Sequence, residues 1–563
     1  MQASDWLQLI LFLVVLLAAM PVLGDYMAKV YQGEQTWLHQ IIRPVEKLIY
    51  TLCGVKADEE MNWKRYTMAF VWFHLFGFLF VFSLHLLQAS LPLNPAKLPN
   101  TSPHLAFNTA VSFMTNTNWQ AYSGEAVLSY LTQMLGLAVQ NFVSAASGMA
   151  VLIVLIRGII RKQTSDLGNF WVDLTRTTLY ILVPLSLVLA LALVSQGVVQ
   201  SFDSYHTVKT LEGAEQILPL GPAASQIAIK QLGTNGGGFF GVNSAHPYEN
   251  PNPFSNFLEM ISILLIPVAL CWTYGRMVKS IKQGMTILAA MSVIYLGCLG
   301  VATWGEFQPN PVTGVAQQLE GKETRFGVVN SVIWGVSTTV ASNGSVNAMH
   351  DSFSPVTGGV AIFDMMLGEV IYGGVGSGLY GMLLFVIATV FIAGLMVGRT
   401  PEYLGKKIQA LDISMAGIGI VLPCAAVLLF TAIAVLLPAD LQGLNNQGPH
   451  GFAEMLYVFT SQGNNNGSAF AGITVNTPFY NIMGGIAMLI GRFGVMIPVM
   501  VIAGNLAAKK ITPPSAGTFP TDGGMFVVLQ VSIVILVGAL TYLPALTLGP
   551  VVEQVMMTQG RVF

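Results

Sequence analysis

Ten stretches of the chain are apolar on every face over about the twenty residues that cross a hydrocarbon layer. They lie near 6–28, 67–91, 128–156, 174–199, 256–275, 284–305, 359–398, 413–438, 479–507 and 525–548, and the seventh is interrupted by glycines. The polar segments between them contain shorter apolar runs that cannot reach across. Trp6–Leu23 has the length of a signal-peptide core, but Asp5 stands before it where a basic region is needed. It is therefore expected to be a retained first helix with its N-terminus outside.

Four of the short runs have half-helix character: Ala106–Met114, Ser225–Leu232, Val328–Ala341 and Phe452–Ser461. Each precedes a small-residue, Asn-rich signature: T-N-T-N at Thr115–Asn118, T-N-G-G-G-F at Thr234–Phe239, S-N-G-S at Ser342–Ser345 and N-N-N-G-S-A-F at Asn464–Phe470. Alignment brings Asn118, Gly236, Gly344 and Gly467 into register, at spacings of 118, 108 and 123 residues. After three of the signatures a polar stretch with Pro leads into the next span. Such self-similarity marks a repeated unit, here span, half-helix, loop, span. Four units use eight spans, and one further span flanks each end. The expected fold is an all-α membrane protein divided at 1–62, 63–165, 166–281, 282–408, 409–511 and 512–563.

Composition agrees, with 53% hydrophobic and 9% charged residues, too little charge to cover a water-facing surface. The balance of 25 Lys+Arg against 27 Asp+Glu excludes a nucleic-acid partner and leaves membrane lipid as the surrounding medium. Basic residues cluster in alternate loops: Lys29 to Arg65, Arg157 to Lys162, Arg276 to Lys282, Arg399 to Lys407, and Lys509 with Lys510. With ten spans these loops share one side, cytoplasmic by the positive-inside rule, and both termini are expected outside. Cys53, Cys271, Cys298 and Cys424 have no C-x-x-C pairing and are expected to be buried thiols.

Irregular backbone at membrane depth is tolerated only inside protein or along a wet cavity, so four such loops imply one shared cavity. Rings of backbone carbonyls replace the water of a dehydrated cation. Gly permits the left-handed conformations that aim successive carbonyls inward, and Asn and Thr add oxygens or pin the loop. Half-helices that stop at the loop turn their negative ends toward the cavity. The signatures carry no Lys or Arg.

T-N-T-N-W-Q-A-Y-S-G, G-T-N-G-G-G-F-F, A-M-H-D-S-F, G-G-V-G-S-G-L-Y-G-M-L and G-R-T-P-E-Y-L-G-K-K resemble the KdpA family, the potassium-translocating subunits of the bacterial Kdp pump, over essentially the whole chain. That family is similar in turn to the superfamily of K⁺ transporters with four pore-loop repeats. The resemblance implies a K⁺ selectivity filter at Asn116, Thr117, Asn118, Thr234, Asn235, Gly236, Ser342, Asn343, Gly344, Asn465, Asn466 and Gly467, with Gln120 beside it as a residue linked with affinity. It implies K⁺ as substrate, no nucleotide or organic cofactor, and the bacterial inner membrane. It also implies a KdpB-like P-type ATPase partner with KdpC-like and KdpF-like small subunits. Asn118 stands where the other repeats have Gly, so the first quadrant is expected to use a different backbone conformation. Asn343 stands where a family member has Cys.

Gly373, Gly374, Gly376 and Gly378 break the seventh span, at about 1 kcal/mol each relative to Ala in a helix. They are read as a gating loop below the filter or as a site of close helix packing. Arg492, in mid-span, either pairs with Asp364 or Glu369 or bounds the ion path from below. Arg399 belongs to a helix stop or to a partner-docking site. His74 and His85 are expected to be packing residues. The chain carries neither a G-x-x-x-x-G-K-[ST] loop nor a D-K-T-G motif, so ATP chemistry is expected on a partner. The competing functions are a self-sufficient K⁺ channel or symporter of the Trk/Ktr/HKT type, and a membrane enzyme or scaffold with structural repeats only.

Overall fold

The computed structural model describes residues 3–315, 318–437, 441–513 and 518–561. Among the described residues ten helices are long and apolar enough to cross a membrane: Ala3–Gln32, Trp63–Ser90, Thr132–Ile160, Phe170–Ser195, Pro253–Met277, Ile281–Glu306, Ser377–Met396, Ala410–Leu436, Pro478–Ala508 and Gly524–Thr558. They match the ten apolar stretches, with one revision. The seventh span is two helices, Pro355–Met366 and Ser377–Met396. The break covers 367–376, and Gly378 lies inside the second helix rather than in the break.

The four half-helices are Pro103–Met114, Ala223–Leu232, Gly327–Val340 and Gly448–Gly463. At 10 to 16 residues, and about 1.5 Å per residue, they reach only part-way across a bilayer. Local sequence explains where the returning spans begin. Asn252, Ser354 and Thr477 accept backbone N–H bonds from Ser255, Thr357 and Tyr480, and a Pro follows each cap at the first helical position. A side-chain oxygen there satisfies an orphan donor, and Pro has no N–H to lose. The first unit lacks the Pro, and Ser129 Oγ instead accepts from Thr132 N–H at 3.2 Å.

In every unit the returning helix is the more buried. In the first, 83% of the returning helix's apolar window is buried against 28% of the entering helix's, and in the second 72% against 39%. The returning helices thus form the inner layer, and the first and tenth spans lie outside, 22% and 33% buried. The first packs on the fifth through Gly24, whose missing side chain admits Trp272, and Asp25 accepts from the Trp272 indole at 2.9 Å.

The basic loops meet on the face opposite the half-helix entrances. Lys406 Nζ donates to the carbonyls of Arg161, Leu506 and Lys509, tying the loops after the third, seventh and ninth spans together. Lys230 and Lys322, which count as outer-loop charges by sequence, are instead fully buried in ion pairs with Glu249 and Glu306. Their positive charge is therefore neutralised inside the fold. Between the third basic loop and the tenth span Gln283 reaches Thr521 at 3.0 Å. Of the cysteines Cys271, Cys298 and Cys424 are buried and Cys53 is exposed.

Candidate selectivity filter

Each loop is tied back to the end of its own half-helix by the same bond. The backbone N–H groups of Thr117, Asn235, Asn343 and Asn466 donate to the carbonyls of Ser112, Lys230, Thr338 and Ser461, at 2.9, 2.9, 3.2 and 2.7 Å. The offset is five residues in all four, so the register inferred from the signatures is the register of the structure. These carbonyls are among the last of each half-helix, which lack partners in the helix itself.

The loops then meet around one axis. A Cβ at Gly236 would lie 1.9 Å from Gly344 N, one at Gly344 2.6 Å from Gly467 C, and one at Gly467 1.7 Å from Thr117 O. One at Gly237 would lie 3.0 Å from Asn118 O, which closes the ring. Only residues without side chains can approach this closely. Backbone φ is positive at Asn116, Thr234, Ser342 and Asn465, and again two residues on at Asn118, Gly236 and Gly467. Asn118, at φ 58°, therefore shares the left-handed conformation of Gly236 and Gly467, because Asn tolerates that region better than other non-Gly residues. The expected odd quadrant is corrected: Gly344 is the member outside the left-handed region.

The Asn side chains hold neighbouring loops together. Asn235 Nδ2 donates to Asn116 Oδ1 at 2.5 Å, Asn343 Nδ2 to Lys230 O at 3.2 Å, and Asn466 Nδ2 to Thr338 O at 2.9 Å. Each bond reaches from one repeat back to the preceding one. In the first repeat Thr117 holds this position, and its Oγ1 accepts from Asn465 Nδ2 at 2.9 Å, completing the circuit. Ser342 Oγ donates to Asn465 O at 2.7 Å. Asn343 thus does what Asn235 and Asn466 do. Gln120 bonds the second loop across the rim, accepting from Gly238 N at 2.8 Å and donating to its carbonyl at 3.1 Å.

A vestibule of about 440 Å³ opens above the ring, lined by Asn118, Gln120, Gly237, Gly344 and Gly467. Below it is a smaller cavity of about 70 Å³ bordered by Ser342, Asn465, Glu369 and Arg492, which runs sideways to Gly538 and Tyr542 of the tenth span. The glycine break lies against the inner mouth. Val375 N–H donates to Thr234 Oγ1 at 2.8 Å, Gly373 N–H to Val340 O at 3.2 Å, and a Cβ at Gly374 would lie 3.0 Å from Ser342 Cβ.

Arg492 does not pair with Asp364 or Glu369. Its Nη2 donates to Ser144 O at 3.0 Å and Ser147 Oγ at 3.4 Å, while Nε has no hydrogen-bond partner among the described residues. Asp364 accepts from Thr339 Oγ1 at 3.3 Å instead. Arg399 lies exposed on the basic face, away from the loops, with Nη1 3.4 Å from Thr518 O. Its helix stops there because Gly398 turns left-handed and Arg399 N–H closes on Gly394 O at 2.8 Å. His74 is buried, bonded to Phe70 O at 2.8 Å. Sequence reasoning passed over Glu369 as a cavity residue: it is buried at positive φ within the break, and one carboxylate oxygen has no partner. Its place beside the glycines was the available signal.

The family model described as the potassium-transporting ATPase A subunit, KdpA, matches residues 10–555. The chain belongs to the KdpA family. Among relatives, the potassium-transporting ATPase potassium-binding subunit of Pseudomonas entomophila is 58% identical over 558 residues, covering 98% of this chain and 99% of its own. The protein of the same name from Herpetosiphon aurantiacus is 57% identical over 579 residues, covering 99% and 100%. Among solved structures, the potassium transporter TrkH from Vibrio parahaemolyticus superposes with a TM-score of 0.51 at 12% identity, over 89% of this chain and 98% of that one. TrkH and this KdpA-family chain thus share a fold.

Proposed function

We propose that the four loops bind and select K⁺ from the vestibule face and that the chain passes the ion on for ATP-driven uptake, with ATP hydrolysis on a partner P-type ATPase subunit. The observation that carries this is the closed ring of Gly236, Gly344, Gly467 and the Thr117–Asn118 backbone beneath a shared vestibule. A dehydrated cation needs several carbonyl oxygens at once, and one ring supplied by four loops provides them. The filter on this reading comprises Asn116–Asn118, Thr234–Gly236, Ser342–Gly344 and Asn465–Gly467, in four repeats at 63–165, 166–281, 282–408 and 409–511. The relatives' names, potassium-binding subunits of a potassium-transporting ATPase, support both the ion and a separate catalytic partner.

The break at 367–376 acts as the gate, supported by its bond to Thr234. Arg492 bounds the path from below as a fixed positive charge, and Glu369 offers a negative one beside it, so the ion leaves sideways along the small cavity. The basic face lies in the bacterial cytoplasm, where the exposed Arg399 meets the ATPase partner, and small KdpC-like and KdpF-like subunits complete the assembly.

The test is K⁺ uptake in cells lacking their own uptake systems. Uptake that needs a co-expressed ATPase subunit and is abolished by Gly236→Asp supports the proposal. Uptake by the chain alone selects the self-sufficient transporter, and uptake unaltered by Gly236→Asp selects a structural role for the repeats.

A further inference from the structure

Away from the filter, on the vestibule face, three side chains distant in sequence converge. His450 sits in the first turn of the fourth half-helix, Glu454 one turn later on the same face, and Asp351 just after the third filter loop. One ligand atom from each lies within 4.8 Å of the others. His450 Nε2 is 2.8 Å from Asp351 Oδ1, and its Nδ1 is 2.8 Å from Glu553 Oε1. Glu454 is fully buried; Oε1 accepts from Asn446 at 2.7 Å, and Oε2 has no hydrogen-bond partner among the described residues. A buried carboxylate oxygen without a bond is costly, and the adjacent Asp351 carboxylate adds like-charge repulsion. Gly472 closes the back, since a Cβ there would lie 2.6 Å from Glu454 Oε1 and 2.7 Å from either Asp351 oxygen. The front opens into a cleft of about 550 Å³ that Asp351, His450 and Glu553 line.

We propose that Asp351, His450 and Glu454 form a site for a divalent transition-metal ion of the Zn²⁺ class, with Glu553 orienting the imidazole from behind. One imidazole and two carboxylates match Zn²⁺, whereas Ca²⁺ and Mg²⁺ prefer oxygen ligands alone. Ligand atoms about 2.0 Å from a tetrahedral Zn²⁺ lie about 3.3 Å apart, so the His450–Asp351 contact would open from 2.8 Å while the other separations, none above 4.8 Å, close around the ion. Glu553 on Nδ1 leaves Nε2 as the ligand, the outer carboxylate arrangement common to metal-bound histidines. Both ring nitrogens face carboxylates, so binding an ion at Nε2 displaces its proton to solvent. The ion would join the fourth half-helix, the segment after the third filter loop and the C-terminal helix. Asp351 N–H already bonds Phe470 O at 2.8 Å, so the clamp would stiffen the vestibule rim.

The experiment uses the purified full-length chain, with whatever subunits accompany it, stripped by EDTA. Zn²⁺ is titrated by thermal unfolding and Co²⁺ by visible absorption. The expected result is a saturable rise in Tm and Co²⁺ ligand-field bands, both reversed by EDTA and lost in Glu454→Gln and His450→Gln. Glu553→Gln should weaken binding by about 10- to 100-fold. No saturable response in the unsubstituted chain overturns the proposal, as does a Glu454→Gln protein that responds like it, or equal stabilisation by Ca²⁺. The Co²⁺ spectrum of the unsubstituted chain needs no variant, so the test stands even if His450→Gln misfolds.

Discussion

At the scale of single residues the ring of four loops, the proposed filter, depends on a division of labour. Glycine permits backbone approach at Gly236, Gly344 and Gly467, while asparagine amides fasten each loop to its neighbour. Removing one fastener loses a buried hydrogen bond between repeats, at a net cost of about 0.5–1.5 kcal/mol. Asn466→Ala, which leaves Thr338 O only the bond from Asn343 N–H and unties the fourth loop from the third, is therefore expected to lower Tm and to weaken discrimination of K⁺ against Na⁺, measured by competition in uptake. Gly236→Ala should be far more damaging than its single methyl suggests, since the added carbon would overlap Gly344 N; loss of K⁺ binding by calorimetry is the readout. The recurrence of the asparagines in the four loops was legible in the sequence. Their bonding across repeats was not, because each partner lies more than 100 residues away.

At the scale of elements, the returning helices surround the ring and the break in the seventh span lies against it, bonded to Thr234. Gly376 takes φ 85° and a Cβ there would meet Gly148 O at 2.4 Å. Gly376→Ala should therefore displace the break from beneath Thr234 and change the rate of uptake while leaving K⁺ affinity at the filter in place. Unchanged rates for both Gly376→Ala and Gly374→Pro would remove the gate. Arg492→Gln keeps a donor toward Ser144 O but loses the charge; ATP-driven uptake should fall while K⁺ binding at the filter persists, measured side by side. Hydropathy located the break to within a few residues. It misplaced Gly378 because a glycine-rich run looks the same whether it opens a loop or begins a helix.

At the scale of the whole molecule, four units of one design enclose a single axis, and two outer spans pack around them. On the proposed function, uptake should depend on an ATPase partner, since the relatives are named potassium-binding subunits of a potassium-transporting ATPase; transport assays with and without that subunit decide it. Hydrophobic length, the alternation of basic loops and the recurrence of the signatures determined the ten spans, the shared basic face and the filter register from sequence alone. These follow from chain-local physics: the thickness of the hydrocarbon layer, the cost of buried charge and the rarity of left-handed backbone. Tertiary structure alone decided which carbonyl each asparagine holds and that Arg492 meets a serine carbonyl rather than a carboxylate. It alone buried Lys230 and Lys322 in ion pairs, and brought His450 to Asp351 and Glu553. Those contacts join residues far apart in the chain, and their distances are set by how the helices pack, which no local pattern encodes.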